Sequence, residues 1–224
     1  MKKTVIVGGN SGIGQSISSL LENENCVTIS RNSAVNNYEN HQHYQVDVIK
    51  DEIPEINDVA SLIYCPGSIN LKPFGSLKEE DFFNDMQINF FGAVRTIKHF
   101  FRGLKREENA SILLFSTVAV YQGMPFHASI ASAKGAIEGL TKSLAAEFAG
   151  KIRVNCIAPT LTNTPLASPI LRNDEAIERA NLRHPSKRIN SAEDIAKTAV
   201  FLLKDTNITG QIIRVDGGLS TLKT

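Results

Sequence analysis

Seven residues near the start of the chain, Gly8-Gly9-Asn10-Ser11-Gly12-Ile13-Gly14, have the composition and spacing to hold a diphosphate. A short apolar run, residues 4–7, precedes them, and a helical pattern carried by Ile13, Ile17, Leu20 and Leu21 follows. Between a strand and a helix such glycines have a definite use. Gly8 suits a tight turn, Gly12 has no side chain to keep a pyrophosphate away, and Gly14 lets the helix pack close on the strand. The helix start then presents free N–H groups and the positive end of its dipole to phosphate. Gly8, Asn10, Ser11, Gly12, Ile13 and Gly14 are therefore the first candidate binding site. A second lies past residues 26–30 (CVTIS), a stretch rich in β-branched residues that reads as a strand. In a dinucleotide fold the chain meets the adenosine ribose here; an acid would hold the hydroxyls of NAD, whereas an Arg accommodates the 2′-phosphate of NADP. The residues are Ser30, Arg31 and Asn32, with no acid among them. Arg31 can pair with phosphate through its planar fork and Ser30 can add a hydroxyl. The alternative is an ordinary solvated loop arginine. The expected cofactor is NADP(H) in preference to NAD(H).

The elements that must position these groups follow from composition and periodicity. The 224 residues carry 24 basic and 23 acidic side chains, a balance that leaves no basic field for nucleic acid and favours a small-molecule partner. Cys26, Cys65 and Cys156 are odd in number and unclustered, each in or at the end of an apolar run, as buried thiols in a reducing compartment would be. Lys2 and Lys3 precede an apolar run far too short for a signal peptide, and no stretch approaches a membrane span. The expectation is a cytoplasmic protein with no membrane partner and no metal. Residues 32–43 read as polar loop or frayed helix and 44–48 as a third strand; residues 60–64 form a fourth after too few residues for a full crossover helix. Helical spacing covers 81–102, with Phe82, Met86, Phe90, Val94 and Ile97 on one stripe. Residues 111–116 are an apolar strand of the kind buried on both faces of a parallel sheet. A polar loop, a helix over 129–148, a strand over 151–157 and a last strand over 212–215 complete the pattern. With no repeat and no composition shift, residues 1–224 read as a single α/β domain: a doubly wound, mostly parallel seven-stranded sheet with helices on both faces.

The spacing Gly-x-x-x-Gly-x-Gly from Gly8 to Gly14, the run Arg188-Ile189-Asn190-Ser191-Ala192-Glu193-Asp194-Ile195-Ala196 and the closing Asp216-Gly217-Gly218 together resemble the short-chain dehydrogenase/reductase family over the whole chain. The resemblance implies a Rossmann fold, a nicotinamide cofactor, a small carbonyl or alcohol substrate, and a homodimer or homotetramer built on two long helices, where Phe91 and Phe101 exceed the needs of one core-facing stripe. It also implies a substrate-lid insert near 162–187. It sets Asp47 and Val48 beside the adenine and Gly67 against the cofactor. Pro159 falls in the turn after the sixth strand, and Thr162 and Thr164 near the nicotinamide carboxamide and the phosphates. Two departures stand out: Val7 where the family usually has Thr, and Tyr64-Cys65-Pro66-Gly67 where it has Asn-Asn-Ala-Gly.

In that family a Tyr phenol transfers a proton, a Lys four residues later lowers the phenol's pKa and holds the nicotinamide ribose, a Ser thirteen residues before the Tyr bonds the reacting oxygen, and an Asn completes the tetrad. The matching positions here are Lys134, Thr117 and Asn89, but four residues before Lys134 stands Ile130, which carries no proton. His127, three residues before Ile130, is one replacement, since an imidazole exchanges protons near neutral pH. Tyr121 and Tyr64 are others, and the absence of any replacement is the fourth possibility. Two functions stay open: a carbonyl reductase with a non-standard proton route, and an NADP-binding sensor or interaction protein without turnover. Phe74, Met124 and Phe126 suggest an apolar carbonyl substrate.

Overall fold

The computed structural model describes residues 1–35, 37–204 and 207–223. The chain begins with β1 (Lys3–Val7), turns through the glycines into α1 (Gly12–Leu20), returns as β2 (Cys26–Ser30) and adds the edge strand β3 (His41–Gln45). It then passes back to place β4 (Val59–Tyr64) on the other side of β1. Next, α2 (Glu79–Met86), a π-helical turn (Gln87–Phe91) and α3 (Gly92–Leu104) lead to β5 (Ala110–Phe115). The four-residue α4 (Val118–Tyr121) and the long α5 (Ala128–Glu147) lead to β6 (Ile152–Pro159). After the two-residue β7 (Thr162–Asn163) come α6 (Asp174–Leu182), β8 (Asn190–Ser191), α7 (Ala192–Leu203) and β9 (Ile212–Val215).

The sheet order is β3-β2-β1-β4-β5-β6-β9, and every neighbouring pair is parallel. The expected doubly wound α/β architecture is the one formed, with all rather than most pairs parallel. Along β1, Val5 and Val7 face α3 and α5, while Ile6 faces α1 and α7. Residues buried on alternate sides in this way make a near-continuous apolar strand. The predicted start of α7 is also formed: Ser191 Oγ accepts from Asp194 N at 3.1 Å, and the Asp194 carboxylate accepts from Ser191 N at 2.8 Å.

The third strand is misplaced by the sequence reading. It runs over His41–Gln45 rather than 44–48, with Ser30 opposite Gln45. The cause is polarity at a sheet edge. His41 bonds the Leu21 carbonyl at 3.0 Å and His43 bonds Thr28 Oγ1 at 2.9 Å, so imidazoles occupy positions that hydrophobic periodicity would assign to apolar groups. Asp47 lies beyond the strand, where its Oδ1 accepts from Ile49 N at 3.0 Å and opens a turn.

A second difference concerns the helix after β4. The π turn inserts an extra residue, so the inner face of the first half is carried by Asp85 and Asn89, followed by Ala93, Thr96, Ile97, Phe100 and Leu104. Phe82, Met86, Phe90 and Val94, expected inside, are only partly buried. Of the two helix phenylalanines expected to be spare, Phe91 is half exposed, whereas Phe101 packs on Phe148 with ring centroids 4.9 Å apart. Tyr64, at the end of β4, explains the π turn. Its buried hydroxyl donates to the Ile88 carbonyl at 2.6 Å, and a Cβ on Gly92 would sit 2.1 Å from that oxygen. Tyr64→Phe removes this buried hydrogen bond, and we expect a loss of about 1–3 kcal/mol, read from urea unfolding midpoints.

Candidate active site

Strand order reverses between β1 and β4, and a crevice opens at their carboxyl ends, where open α/β sheets hold ligands. Two adjoining cavities fill it, of about 320 and 280 Å³. Ile13, Cys65, Gly67, Thr164 and Leu166 line both.

The first cavity lies against the glycine turn. Gly8 has φ +77°, and a Cβ on Gly14 would lie 2.2 Å from the Gly8 carbonyl, so only glycine permits this approach of helix to strand. Ser11 precedes α1 with no side-chain capping bond, and the first turn has no acidic residue. The first-turn N–H groups thus keep their capacity for an anion, which fits a diphosphate. Gly12 and Asn10 line the same wall, as do Ser30, Arg31, Asp47 and Val48 across from them. Arg31 is exposed and, among the described residues, has no ion-pair partner.

The loop that carries Arg31 is held by groups the sequence reading overlooked. Asn10 Nδ2 donates to the Ser33 carbonyl at 2.6 Å, His43 Nε2 to the Asn32 carbonyl at 3.0 Å, and Gln45 to the Arg31 carbonyl at 3.1 Å. Asn10 therefore braces this loop. Ser30 Oγ donates to the Asn32 carbonyl at 3.1 Å, so its proton is committed within the loop. The only signal for His43 and Gln45 was their period-two spacing on a polar stretch.

The second cavity joins Thr117, His127, Ile130 and Lys134 with Pro159, Thr162 and Thr164. Lys134 is 8% exposed and donates from Nζ to the Phe115 carbonyl at 2.9 Å. Burial pulls its pKa down to about 8, against the opposing pull of Cys156, Cys65 and Asp85. Thr117 caps α4, its Oγ1 accepting from Ala119 N at 3.3 Å, which leaves its proton for a ligand oxygen. His127 donates from Nδ1 to the Pro125 carbonyl at 2.7 Å, so Nε2 is the nitrogen left for exchange. The preceding Phe126 has φ +69°, a strained conformation for an aromatic residue, and its carbonyl is held by Lys72 N at 3.2 Å.

Other expected residues fall elsewhere. Asn89 lines neither cavity; it lies behind Gly67, bonded to Ser68 Oγ and to the Asp85 carbonyl, both at 2.8 Å. Tyr64 is excluded as proton donor because its hydroxyl is committed to Ile88 and burial holds its pKa well above the ordinary value. Tyr121 is exposed, with the Arg214 guanidinium 3.9 Å from its ring centre. Phe74 and Phe126 are exposed and line neither cavity. The apolar wall comes instead from Met124, Ile69, Leu71, Ile170 and Leu161. Sequence reasoning also missed His184, buried on this wall, which donates from Nδ1 to the Ala180 carbonyl at 2.7 Å and so accepts from Thr160 Oγ1 at 3.0 Å.

The sequence pattern of the family described as Enoyl-(Acyl carrier protein) reductase matches residues 45–220. The chain belongs to the short-chain dehydrogenase/reductase family. Among curated short-chain dehydrogenases and reductases, carbonyl reductase family member 4 of Danio rerio is 32% identical over 97% of this chain and 98% of its own. A short-chain dehydrogenase family protein from Francisella tularensis superposes with a TM-score of 0.90 at 26% identity, over 99% of this chain and all of that one. ElxO with NADP bound superposes at 0.88, also 26% identical, over 99% of each chain. The family is one of oxidoreductases that use nicotinamide cofactors. Among the described residues no helix is long and apolar enough to cross a membrane.

Burial of the family's lysine at position 134 has a measurable cost. An unfolded lysine keeps its proton to about 10.5, whereas folded Lys134 releases it near 8. Between those values the unfolded chain binds more protons, so raising the pH favours the folded state. The urea stability of wild type should therefore rise between pH 8 and 10.5 by at most about 3 kcal/mol, and that rise should be absent in Lys134→Met.

Proposed function

We propose that this chain is an NADP(H)-dependent reductase of apolar carbonyl compounds, with His127 as proton donor in place of the missing phenol. One observation carries the reading. Thr117, His127 and Lys134 line a single apolar cavity that opens, past Gly67 and Thr164, into the phosphate-accepting cleft at α1. The nicotinamide, when bound, supplies the hydride. Thr117 Oγ1 donates to the carbonyl oxygen as negative charge develops on it, and the Lys134 ammonium, held by the Phe115 carbonyl, stabilises that charge and the ribose. His127, protonated at Nε2, gives its proton to the alkoxide and becomes neutral, so carbonyl, hydride and proton account for the alcohol. The excursion between β7 and β8, which contributes Leu166, Ile170 and His184 to the cavity wall, serves as the substrate lid. The half-exposed Phe91 on the π turn supports self-association of the chain as a homodimer or homotetramer.

NADP(H) is preferred because Arg31 faces the cleft without an ion-pair partner among the described residues and no acid stands at the end of β2. Arg31→Asp should weaken NADPH binding by about tenfold or more and reverse the order of NADPH and NADH affinities. A wild-type preference for NADH in the same titration defeats the assignment.

Turnover is tested with NADPH against a panel of ketones, aldehydes and α,β-unsaturated carbonyl compounds. His127→Ala should lower kcat by about 10²–10⁴-fold with unchanged cofactor affinity. The second reading, an NADP-binding protein without turnover, is favoured by Ile130, which fills the place of the proton donor on the cavity wall. It prevails if NADPH binds while neither wild type nor Ile130→Tyr reduces any member of the panel.

A further inference from the structure

Behind Gly67, between α2 and α5, lies a buried polar group that the reductase chemistry above does not use. Asp85 is 2% exposed on the inner face of α2, and its Oδ1 accepts from Ser68 Oγ at 2.5 Å. Asn89, 1% exposed, donates to the same Ser68 oxygen and to the Asp85 main chain, both at 2.8 Å. This leaves two buried acceptors, Asp85 Oδ2 and Asn89 Oδ1, without a donor among the described residues. Buried polar atoms are nearly always paired. For Asn89 Oδ1 the complementary group is close. Lys134 has three N–H donors and spends one on the Phe115 carbonyl. A Cβ built on Gly67 would lie 3.4 Å from Asn89 Oδ1 and 3.6 Å from Lys134 Nζ, so the amide oxygen and the ammonium flank the same glycine. The helices that carry them, α2 with its π turn and α5, pack directly on each other.

We propose that Asp85 is the counter-ion and positioning residue of this site: through Ser68 it fixes Asn89 beside Lys134, and its negative charge keeps the Lys134 ammonium charged within the apolar wall. The groups that act on Lys134 from the elements around it are Cys65 at the end of β4, Cys156 on β6 and Asp85 on α2. Glu138, one turn further along α5, is held by Ser116 Oγ at 2.7 Å. Burial holds both thiols near 12, so they are neutral where Lys134 titrates. Of the three groups, Asp85 is the carboxyl group, carried by the helix packed on α5, and in the proposal it offsets the cost of burying the ammonium.

The inference rests on Lys134 as a cofactor-holding residue only for its second measurement. The first follows the ¹³Cε resonance of Lys134 against pH, assigned by its loss in Lys134→Met. Asp85→Asn, which keeps the shape and removes the charge, should lower the Lys134 midpoint by about one pH unit. An unchanged midpoint overturns the proposal. The second is NADPH titration. From a midpoint near 8, a one-unit fall leaves about fivefold less charged Lys134 at pH 8 and almost no change at pH 6. Asp85→Asn should lose affinity in that pattern, and an equal loss at both pH values assigns a purely structural role and overturns it. If Asp85→Asn does not fold, the double variant Asp85→Asn/Lys134→Met should fold, because no buried ammonium is left without its counter-charge. The same defect in the double variant counts against the proposal. If wild type binds no NADPH, the reductase reading fails, while the resonance titration still decides the role of Asp85.

Discussion

Pairing of β1 with β2 on one side and β4 on the other, all in parallel, sends the chain away from the sheet centre in opposite directions. Neither connection can then cover the carboxyl ends of β1 and β4, and a crevice is left there. The other features of the site depend on that divergence. The glycine turn leaves β1 into one side of the crevice, and the Cys65-Pro66-Gly67 turn leaves β4 into the other. Contact between them is close enough that a Cβ on Gly8 would meet Cys65 and Pro66 at 3.3 Å.

The price of placing ionisable chemistry on this frame is visible in the second cavity. Lys134 sits against the sheet with its ammonium on a main-chain carbonyl, and its lowered pKa measures how strongly the surroundings disfavour the charge. A π-helical turn brings Asp85 and Asn89 to the inner face of the neighbouring helix, where an uninterrupted helix with the expected stripe would have placed phenylalanine and methionine. Tyr64 holds that turn in place. The residue that departs from the family pattern at the end of β4 thus has a structural role, since its hydroxyl holds the Ile88 carbonyl of that turn. Tyr64 is committed there, Tyr121 is on the surface, and both ring nitrogens of His184 are engaged, so of the two imidazoles that share a cavity with Lys134 it is His127 that keeps a nitrogen open, on a loop whose strained Phe126 is tied down by Lys72.

Much of this architecture was legible from local pattern. Runs such as residues 26–30 and 111–116 are apolar because both faces of the strand are buried, and they lie within a residue of β2 and β5. The capping box at Ser191 and Asp194 is short-range chemistry, complete within four residues. By contrast, β3 was displaced because its inward groups are His41 and His43, whose partners, Leu21 and Thr28, lie in other elements. The α2–α3 segment reads as one regular helix because a π turn leaves no hydrophobic signature. It is stabilised by Tyr64, 24 residues upstream of Ile88.

By itself, the sequence determined that the chain forms a doubly wound α/β sheet, that a glycine turn joins its first strand to its first helix, and that isoleucine stands four residues before the expected lysine. These depend on residue type and spacing along one or two neighbouring elements. Only the tertiary structure decided that Asn89 belongs to a buried group with Ser68 and Asp85, that Tyr64 is structural, that Asn10 braces the Arg31 loop and that His184 lines the same cavity as Lys134. Each of these side chains acts on a partner brought to it by the sheet order and the helix packing. The hydrogen bonds and burial that give it a role exist only once distant segments meet.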